Sequence, residues 1–231
     1  MRRTPIAPLL ALIFLLNCHP PPLENLVKRV PRRPEASFLL AGLLNKFGTS
    51  ASFVYRSNCA SADWHDDVSV RLHIKYTESA VEALQKVFAD EKTMLVTEEP
   101  GGMIRITDAS VPQALLDVRM RRVYLTSRWG TGDVLYDPDD VAWAIIETPE
   151  VQAFMTTHDL HKPNAYSRLV PTPSPSLPHM SGQMENLTVR EALDRTLQTF
   201  PGLWSYTQCV NGEGRKLISI GFYSIQQPRK K

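Results

Sequence analysis

The feature that most restricts how this chain can fold is a pattern that occurs twice. Ser79-Ala80-Val81-Glu82-Ala83-Leu84 and Thr188-Val189-Arg190-Glu191-Ala192-Leu193 each place a hydroxyl residue three positions before a glutamate and then turn apolar. In such a capping box the hydroxyl accepts from the amide of the third helical residue while the carboxylate returns to the cap's own amide, so both sites read as helix starts. Leu84, Val87 and Phe88 extend the first as an i, i+3, i+4 stripe; Leu193, Leu197 and Phe200 extend the second as i, i+4, i+7. Each helix is followed by two short β-rich runs with a turn between them. These are Thr93 to Thr97 and Met103 to Thr107 around Pro100-Gly101-Gly102, then Leu203 to Gln208 and Leu217 to Phe222 around Asn211-Gly212-Glu213-Gly214.

Upstream, each half holds another helix and strand. Glu35 to Phe47 carries an apolar stripe of Phe38, Leu39, Leu43 and Phe47 and stops at Gly48, a natural C-cap residue, with Ala51 to Tyr55 as the following strand. In the second half Asp137 caps a helix that opens with Pro138 and runs to about Thr148, before Pro149; Gln152 to Thr156 is the matching strand. Val68, Val70, Leu72 and Ile74 alternate with polar residues as a half-buried strand does, and Met180 to Leu187 is its counterpart. Val118 to Thr126 opens the second copy. The expectation is an α+β fold made of two small repeated βαβ-βαββ modules with short mixed sheets, over 35–110 and 115–224. Phe53 precedes Leu84 by 31 residues and Phe154 precedes Leu193 by 39, an excess of eight that points to the proline-rich stretch Pro171 to Pro178 as an inserted surface loop.

The N-terminus reads differently. Arg2 and Arg3 precede an apolar run from Ile6 to Leu16, the charged and apolar regions of a secretory signal. That run is too short for a bilayer span, which needs roughly 20 apolar residues, so cleavage is expected. Leu15-Leu16-Asn17-Cys18 resembles the lipobox of bacterial lipoproteins, which implies lipidation of Cys18 as the mature N-terminus. Residues 1–18 are thus read as a signal, 19–34 as a proline-rich basic tether and 225–231 as a basic tail, placing the mature chain in the periplasm or at the outer membrane. Without Arg2 and Arg3 the remaining 24 basic residues balance 24 acidic ones, which argues against nucleic acid as a partner. Cys59 and Cys209 remain; as a bridge they would join the two halves, and as separate thiols they form no metal motif, and both states are open.

Val68-Ser69-Val70-Arg71-Leu72-His73-Ile74, followed by Ser79-x-x-Glu82-Ala83-Leu84 and Met103-Ile104-Arg105-Ile106, resembles the short N-terminal domain of secretins and TonB-dependent receptors. The second copy, with Leu187-Thr188-Val189-Arg190-Glu191-Ala192-Leu193, Trp204-Ser205-Tyr206 and Ile218-Ser219-Ile220, looks similar. The resemblance implies a non-catalytic module that docks another envelope protein, here as an accessory or adaptor to a secretion or uptake assembly. No pore or receptor barrel follows the modules in this sequence.

Residues that can carry chemistry are sparse. His158 and His161 lie one turn apart, but Asp159 between them is not on the helical face for a third ligand, and no downstream glutamate completes a calcium loop at His65-Asp66-Asp67. No G-x-S-x-G is present, Ser181-Gly182 lacks the rest of a nucleophile elbow, and the cysteines have no neighbouring histidine. Trp129-Gly130-Thr131-Gly132-Asp133 reads as a turn, Trp204 and Tyr206 as strand core, and Asn186-Leu187-Thr188 as an uninformative sequon. Arg119, Arg121, Arg122 and Arg128 concentrate positive charge, with Arg119 and Arg121 on one strand face. They suit either a carboxylate or anionic envelope polymer on a partner, or a solvated sheet surface. No catalytic residue, cofactor or metal is expected; the rival reading is a periplasmic ligand-binding or hydrolytic enzyme using Arg119 to Arg128 and the loop from His158 to Pro178.

Overall fold

A computed structural model of the chain describes residues 36–59, 65–66, 68, 70, 79–126, 133–162 and 177–224. The signal, Cys18 and the tether, most of Val68 to Ile74, Arg128, Trp129 to Gly132, Pro171 to Ser176 and the basic tail lie outside these residues. The elements are α1 (Ala36–Phe47), β1 (Ala51–Asn58), β2 (His65–Asp66), α2 (Ala80–Val87), β3 (Met94–Glu98), β4 (Ile104–Asp108), β5 (Arg119–Tyr124), β6 (Val134–Leu135), α3 (Pro138–Ile146), α4 (Pro149–Thr157), β7 (Leu160–His161), β8 (Met180–Ser181), β9 (Gln183–Thr188), α5 (Val189–Thr199), β10 (Gly202–Val210) and β11 (Lys216–Ser224). The fold is mixed α+β, and Pro34–Lys231 make up one compact unit.

Both capping boxes form. The Glu82 amide donates to Ser79 Oγ at 3.3 Å and the Ser79 amide to Glu82 Oε2 at 3.0 Å. At α5 the Glu191 amide donates to Thr188 Oγ1 at 3.1 Å and the Thr188 amide to Glu191 Oε2 at 2.7 Å. The bonds from the cap amide, then the cap hydroxyl, hold the Glu82 and Glu191 carboxyls below the usual carboxylate range. Asp137 caps α3 by accepting from the Asp139 amide at 2.9 Å, with Pro138 at the first helical position. Replacing Ser79 or Thr188 by alanine is expected to cost about 1 kcal/mol each in denaturant unfolding, because the Glu82 or Glu191 amide loses its acceptor.

Helix α1 ends at Gly48, whose φ of +63° is a conformation glycine adopts without penalty. Its buried face differs from the expected one. Leu40, Leu43 and Leu44 face inward with Ala36, Ser37 and Ala41, whereas Phe38 is 65 % exposed. Two apolar stripes overlap on this helix, and the one containing small residues lets the helix lie close to the sheet.

The segment Gln152 to Thr156, expected as a strand, is part of α4. Pro149 sits at the first turn, which suits its fixed φ and missing amide, and Val151 and Met155 bury an i, i+4 pair. The strand that follows the helices of the second half is β7, further along the chain. Consequently the excess of residues in the second half, attributed above to the loop from Pro171, belongs between α3 and β7: α1 reaches β1 in a few residues, while α4 intervenes in the second half.

The strand order of the main sheet is β3-β4-β1-β10-β11-β7, with β2 paired to the end of β1. β1 runs parallel to β4 and parallel to β10; β3 with β4 and β10 with β11 are antiparallel hairpins, and β7 is parallel to β11. Two antiparallel pairs lie apart from this sheet, β5 with β9 and β6 with β8. Strands from the two halves of the sequence therefore sit side by side.

The centre of the sheet is buried on both faces. Phe53, Tyr55, Ile104, Ile106 and Leu203 pack with Leu40, Leu44, Leu84 and Phe88 of the first half. Val54, Trp204 and Tyr206 point the other way, to Val141, Ile145, Leu193 and Leu197 of the second. Alternation along β1 thus serves two cores, each fully buried large side chain contributing about 1.5–3 kcal/mol. Gly202 begins β10 where a Cβ would stand 2.2 Å from the Tyr223 carbonyl oxygen, so only glycine fits; its amide donates to Ser50 Oγ at 3.1 Å.

Candidate functional site

The basic residues of β5 were the main sequence candidates, and the local backbone decides where they point. β5 and β9 pair from Arg119 with Thr188 to Tyr124 with Gln183, but the ladder skips Arg121. Opposite it, Asn186 has a φ of +52°, a left-handed conformation that asparagine tolerates better than most residues. The interruption shifts the alternation, so Met120 and Val123, three apart, are both buried.

As a result Arg119 and Arg121 do not converge on one external carboxylate, as expected from a regular strand. Arg119 donates to the Asn186 carbonyl at 2.7 Å and lies 3.8 Å from Glu191. Arg121 donates through Nε to Glu150 at 2.9 Å. Arg122 donates to Glu185 at 3.1 Å and to the Tyr124 hydroxyl at 3.0 Å, with its guanidinium 5.7 Å from the centre of that ring. The Arg121 bond, foremost, holds the Glu150 carboxyl below its ordinary range. Much of the local positive charge is thus matched within the chain.

Between β5 and the turn from α3 to α4 lies an open groove of about 660 Å³, lined among others by Arg121, Arg122, Tyr124, Trp143, Glu147 and Glu150. Lys162 Nζ sits 3.9 Å from the centre of the Trp143 ring and also pairs with Glu147. Tyr124 is 58 % exposed. The groove depends on α4, which supplies Pro149 and Glu150, and for that reason no sequence reading that made this segment a strand could locate it. Trp143 on α3 and Glu147 at its C-cap, one turn apart, were the signal available.

The remaining candidates are dispersed. α4 ends at His158, the chain turns at Asp159 with a φ of +54°, and the two histidines therefore do not share a helical face. The His158 ring stacks on Phe154 at 4.1 Å, and His161 bonds Asp159 at 2.8 Å. Among the described residues no group of three histidine, cysteine or acidic side chains is arranged to hold a metal. His65 and Asp66 pair through their backbones with Asn58 and Ser57. Trp204 and Tyr206 are fully buried strand core, and burial pushes the Tyr206 hydroxyl pKa up. Cys59 and Cys209 are joined as a disulfide with Cα atoms 6.0 Å apart.

Two buried polar clusters had no sequence signature. Asp108 is fully buried and lies 2.7 Å from Arg56 Nε; burial alone would raise its pKa, but the Ser110 hydroxyl and amide, Thr93 and Arg56 together hold it below the usual range. Trp204 Nε1 donates to Asp194 Oδ1 at 2.7 Å, and Asp194 in turn lies 3.2 Å from Arg105, which also pairs with Glu99 at 2.9 Å. Burial disfavours the Arg105 charge, and Glu99 and Asp194 more than offset it.

The depressed carboxyls have a measurable consequence. For Asp108, Glu82, Glu150 and Glu191 the folded pKa lies below the unfolded one, so their stabilisation is complete above the unfolded values near 4 and is lost as pH falls through the folded ones. Unfolding midpoints in urea are expected to be flat from pH 7 to 5 and to fall steeply below pH 4, with a shallower fall in Asp108→Asn.

No protein-family model, curated protein or solved structure matches the chain.

Proposed function

We propose that the chain is a non-catalytic protein-interaction module of the cell envelope, exported by its N-terminal signal, tethered through Cys18 and serving as an accessory or adaptor to a secretion or uptake assembly. In this reading it carries two copies of a small α+β module resembling the short N-terminal domain of secretins and TonB-dependent receptors.

The observation that supports it best is a strand order that recurs. In the first half the strand after the first helix, β1, runs parallel to the second strand of the hairpin that follows the capped helix, giving β3-β4-β1. In the second half β7 stands in the same relation to its hairpin, giving β10-β11-β7. The copies join through the parallel pairing of β1 with β10. A disulfide suits an oxidising compartment. At one end of the sheet β3 pairs, among the described residues, with β4 alone, and Leu95 on it is 58 % exposed. Such an edge offers main-chain groups to a partner strand.

A hydrolase would need a nucleophile beside a histidine, and the nearest candidates are otherwise engaged: the cysteines with each other, His158 with Phe154, His161 with Asp159. The test is to isolate the tagged chain from membranes of its host after crosslinking and to weigh both its N-terminal peptide and its partners. The reading expects a lipidated Cys18 at the N-terminus and one stoichiometric envelope protein. An intact Met1 with no specific partner would sink it.

A further inference from the structure

We propose that the open edge of β3 pairs antiparallel with the same edge of a second copy of this chain, about a two-fold axis through Leu95. This goes beyond the envelope reading above and does not rest on it.

The main chain selects the register. The Glu99 amide donates to the Met103 carbonyl at 2.8 Å and the Ala109 amide to the Thr93 carbonyl at 2.9 Å. The odd-numbered residues of β3 therefore bond β4, and alternation turns the amides and carbonyls of Met94, Val96 and Glu98 outward. Among the described residues β3 pairs with β4 alone. Two of the outward groups are already satisfied within the chain: the Met94 amide donates to the Glu91 carbonyl at 2.9 Å, and the Val96 carbonyl accepts from Gln85 Nε2 at 3.5 Å. What these two residues still offer is one acceptor, the Met94 carbonyl, and one donor, the Val96 amide. An antiparallel copy centred on Leu95 sets Met94 of each chain opposite Val96 of the other, so each remaining amide meets a remaining carbonyl, and symmetry makes the bond twice. Centred on Val96, the pairing would instead direct that amide at a carbonyl Gln85 already holds.

The side chains point to the same occupant. Leu95 is 58 % exposed, and on the axis it meets its own copy in a non-hydrogen-bonded pair, the closer of the two kinds. Lys92 and Glu98 stand at equal distances in sequence on either side of it. Both are exposed, and neither side chain has an ion-pair or hydrogen-bond partner among the described residues. Their neighbours Glu91 and Glu99 are matched by Arg56 and Arg105. A half-turn about Leu95 carries Lys92 of each copy to Glu98 of the other, giving two ion pairs from groups that have none in the single chain. The edge is thus complementary to itself in charge, in hydrogen bonding and in its one exposed apolar side chain, which is what an isologous interface requires.

The experiment introduces Leu95→Cys, or for comparison Thr97→Cys, into the full chain produced in its host. On the axis the two Cα atoms stand about 4.5 Å apart, a separation a disulfide spans, whereas the two 97 positions are about 13 Å apart along the strands. Mild oxidation is expected to link Leu95→Cys into a dimer whose joined peptides map to position 95, and to link neither Thr97→Cys nor the parent through β3. Added to Leu95→Cys, Lys92→Glu or Glu98→Lys alone is expected to lower the yield by about tenfold with the melting temperature unchanged, and the two together to restore it. Lys92→Gln and Glu98→Gln serve if a reversal impairs folding. No dimer through 95, equal linkage through 97, or a double exchange that fails to restore the yield would overturn the proposal. A different polypeptide joined at 95 would also overturn it, and would leave the envelope interaction reading standing.

Discussion

Replacing Cys59 and Cys209 together by alanine is expected to lower the unfolding free energy by about 2–5 kcal/mol and the melting temperature by on the order of 10 °C. The two residues are 150 apart in sequence, so the bridge closes a long loop and removes much of the conformational freedom of the unfolded chain. Its position strengthens the effect on the fold. Cys59 directly follows β1 and Cys209 lies near the end of β10, the two parallel strands through which the halves meet. Parallel pairing between distant segments carries a large closure cost and gains no help from a hairpin. Guanidinium unfolding of the parent with and without reductant, against the double variant, isolates the effect: the reduced parent should match the variant. A change below about 0.5 kcal/mol would mean that β1 and β10 hold together without the bridge.

Trp204→Ala is expected to cost about 3–5 kcal/mol, the usual range for deleting a large buried ring. Two things are lost at once. The side chain is fully buried among Val54, Leu193 and Leu197, so its removal leaves a cavity in the second core. Its indole nitrogen is also a donor to Asp194, and Asp194 is shared with Arg105 of β4. The carboxylate keeps the arginine when the indole goes, whereas Asp194→Ala strands the indole and leaves Arg105 with Glu99 alone. Trp204→Phe restores most of the volume and none of the hydrogen bond, so it should fall between parent and alanine. Unfolding midpoints of the three proteins measure the two contributions separately. Equal stability of Trp204→Phe and Trp204→Ala would contradict the packing account.

What could be read in the sequence was what is decided locally. Ser79 with Glu82 and Thr188 with Glu191 specify helix starts within four residues, and both boxes form with the bonds expected of them. Gly48 and the glycine-rich turns at Gly101 and Gly214 likewise act on their own backbones, and the helix and hairpins they bound are present. α4 was misread because a nine-residue segment containing Val151, Phe154 and two threonines suits either state, and what tips it is Pro149 at the helix entry together with burial of Val151 and Met155. The error then moved the apparent insertion and hid the groove. The break in the ladder at Arg121 was illegible for a different reason: it faces Asn186, a residue of another strand in a left-handed conformation. Parallel contacts such as β1 with β10 leave no local mark at all, so a sequence reading finds helices and hairpins but not how their strands meet.

The two-core arrangement predicts that the middle of the molecule tolerates little change. β1 and β10 each present one face to the first core and the other to the second, so a substitution at Phe53 or Val54 reaches one core directly and the other through the strand it displaces. β3, at the open end of the sheet, and β5, beside the groove, are each paired on one side among the described residues. Those are the places where a partner could add without disturbing either core.

The most direct measurement is the redox state of Cys59 and Cys209 in protein taken from its host with free thiols blocked at lysis. Reading the chain as an exported envelope module whose halves are clasped by a disulfide requires both cysteines to resist the blocking reagent until a reductant is added. If both react at once in the freshly lysed cells, the chain resides in a reducing compartment and the export reading is wrong.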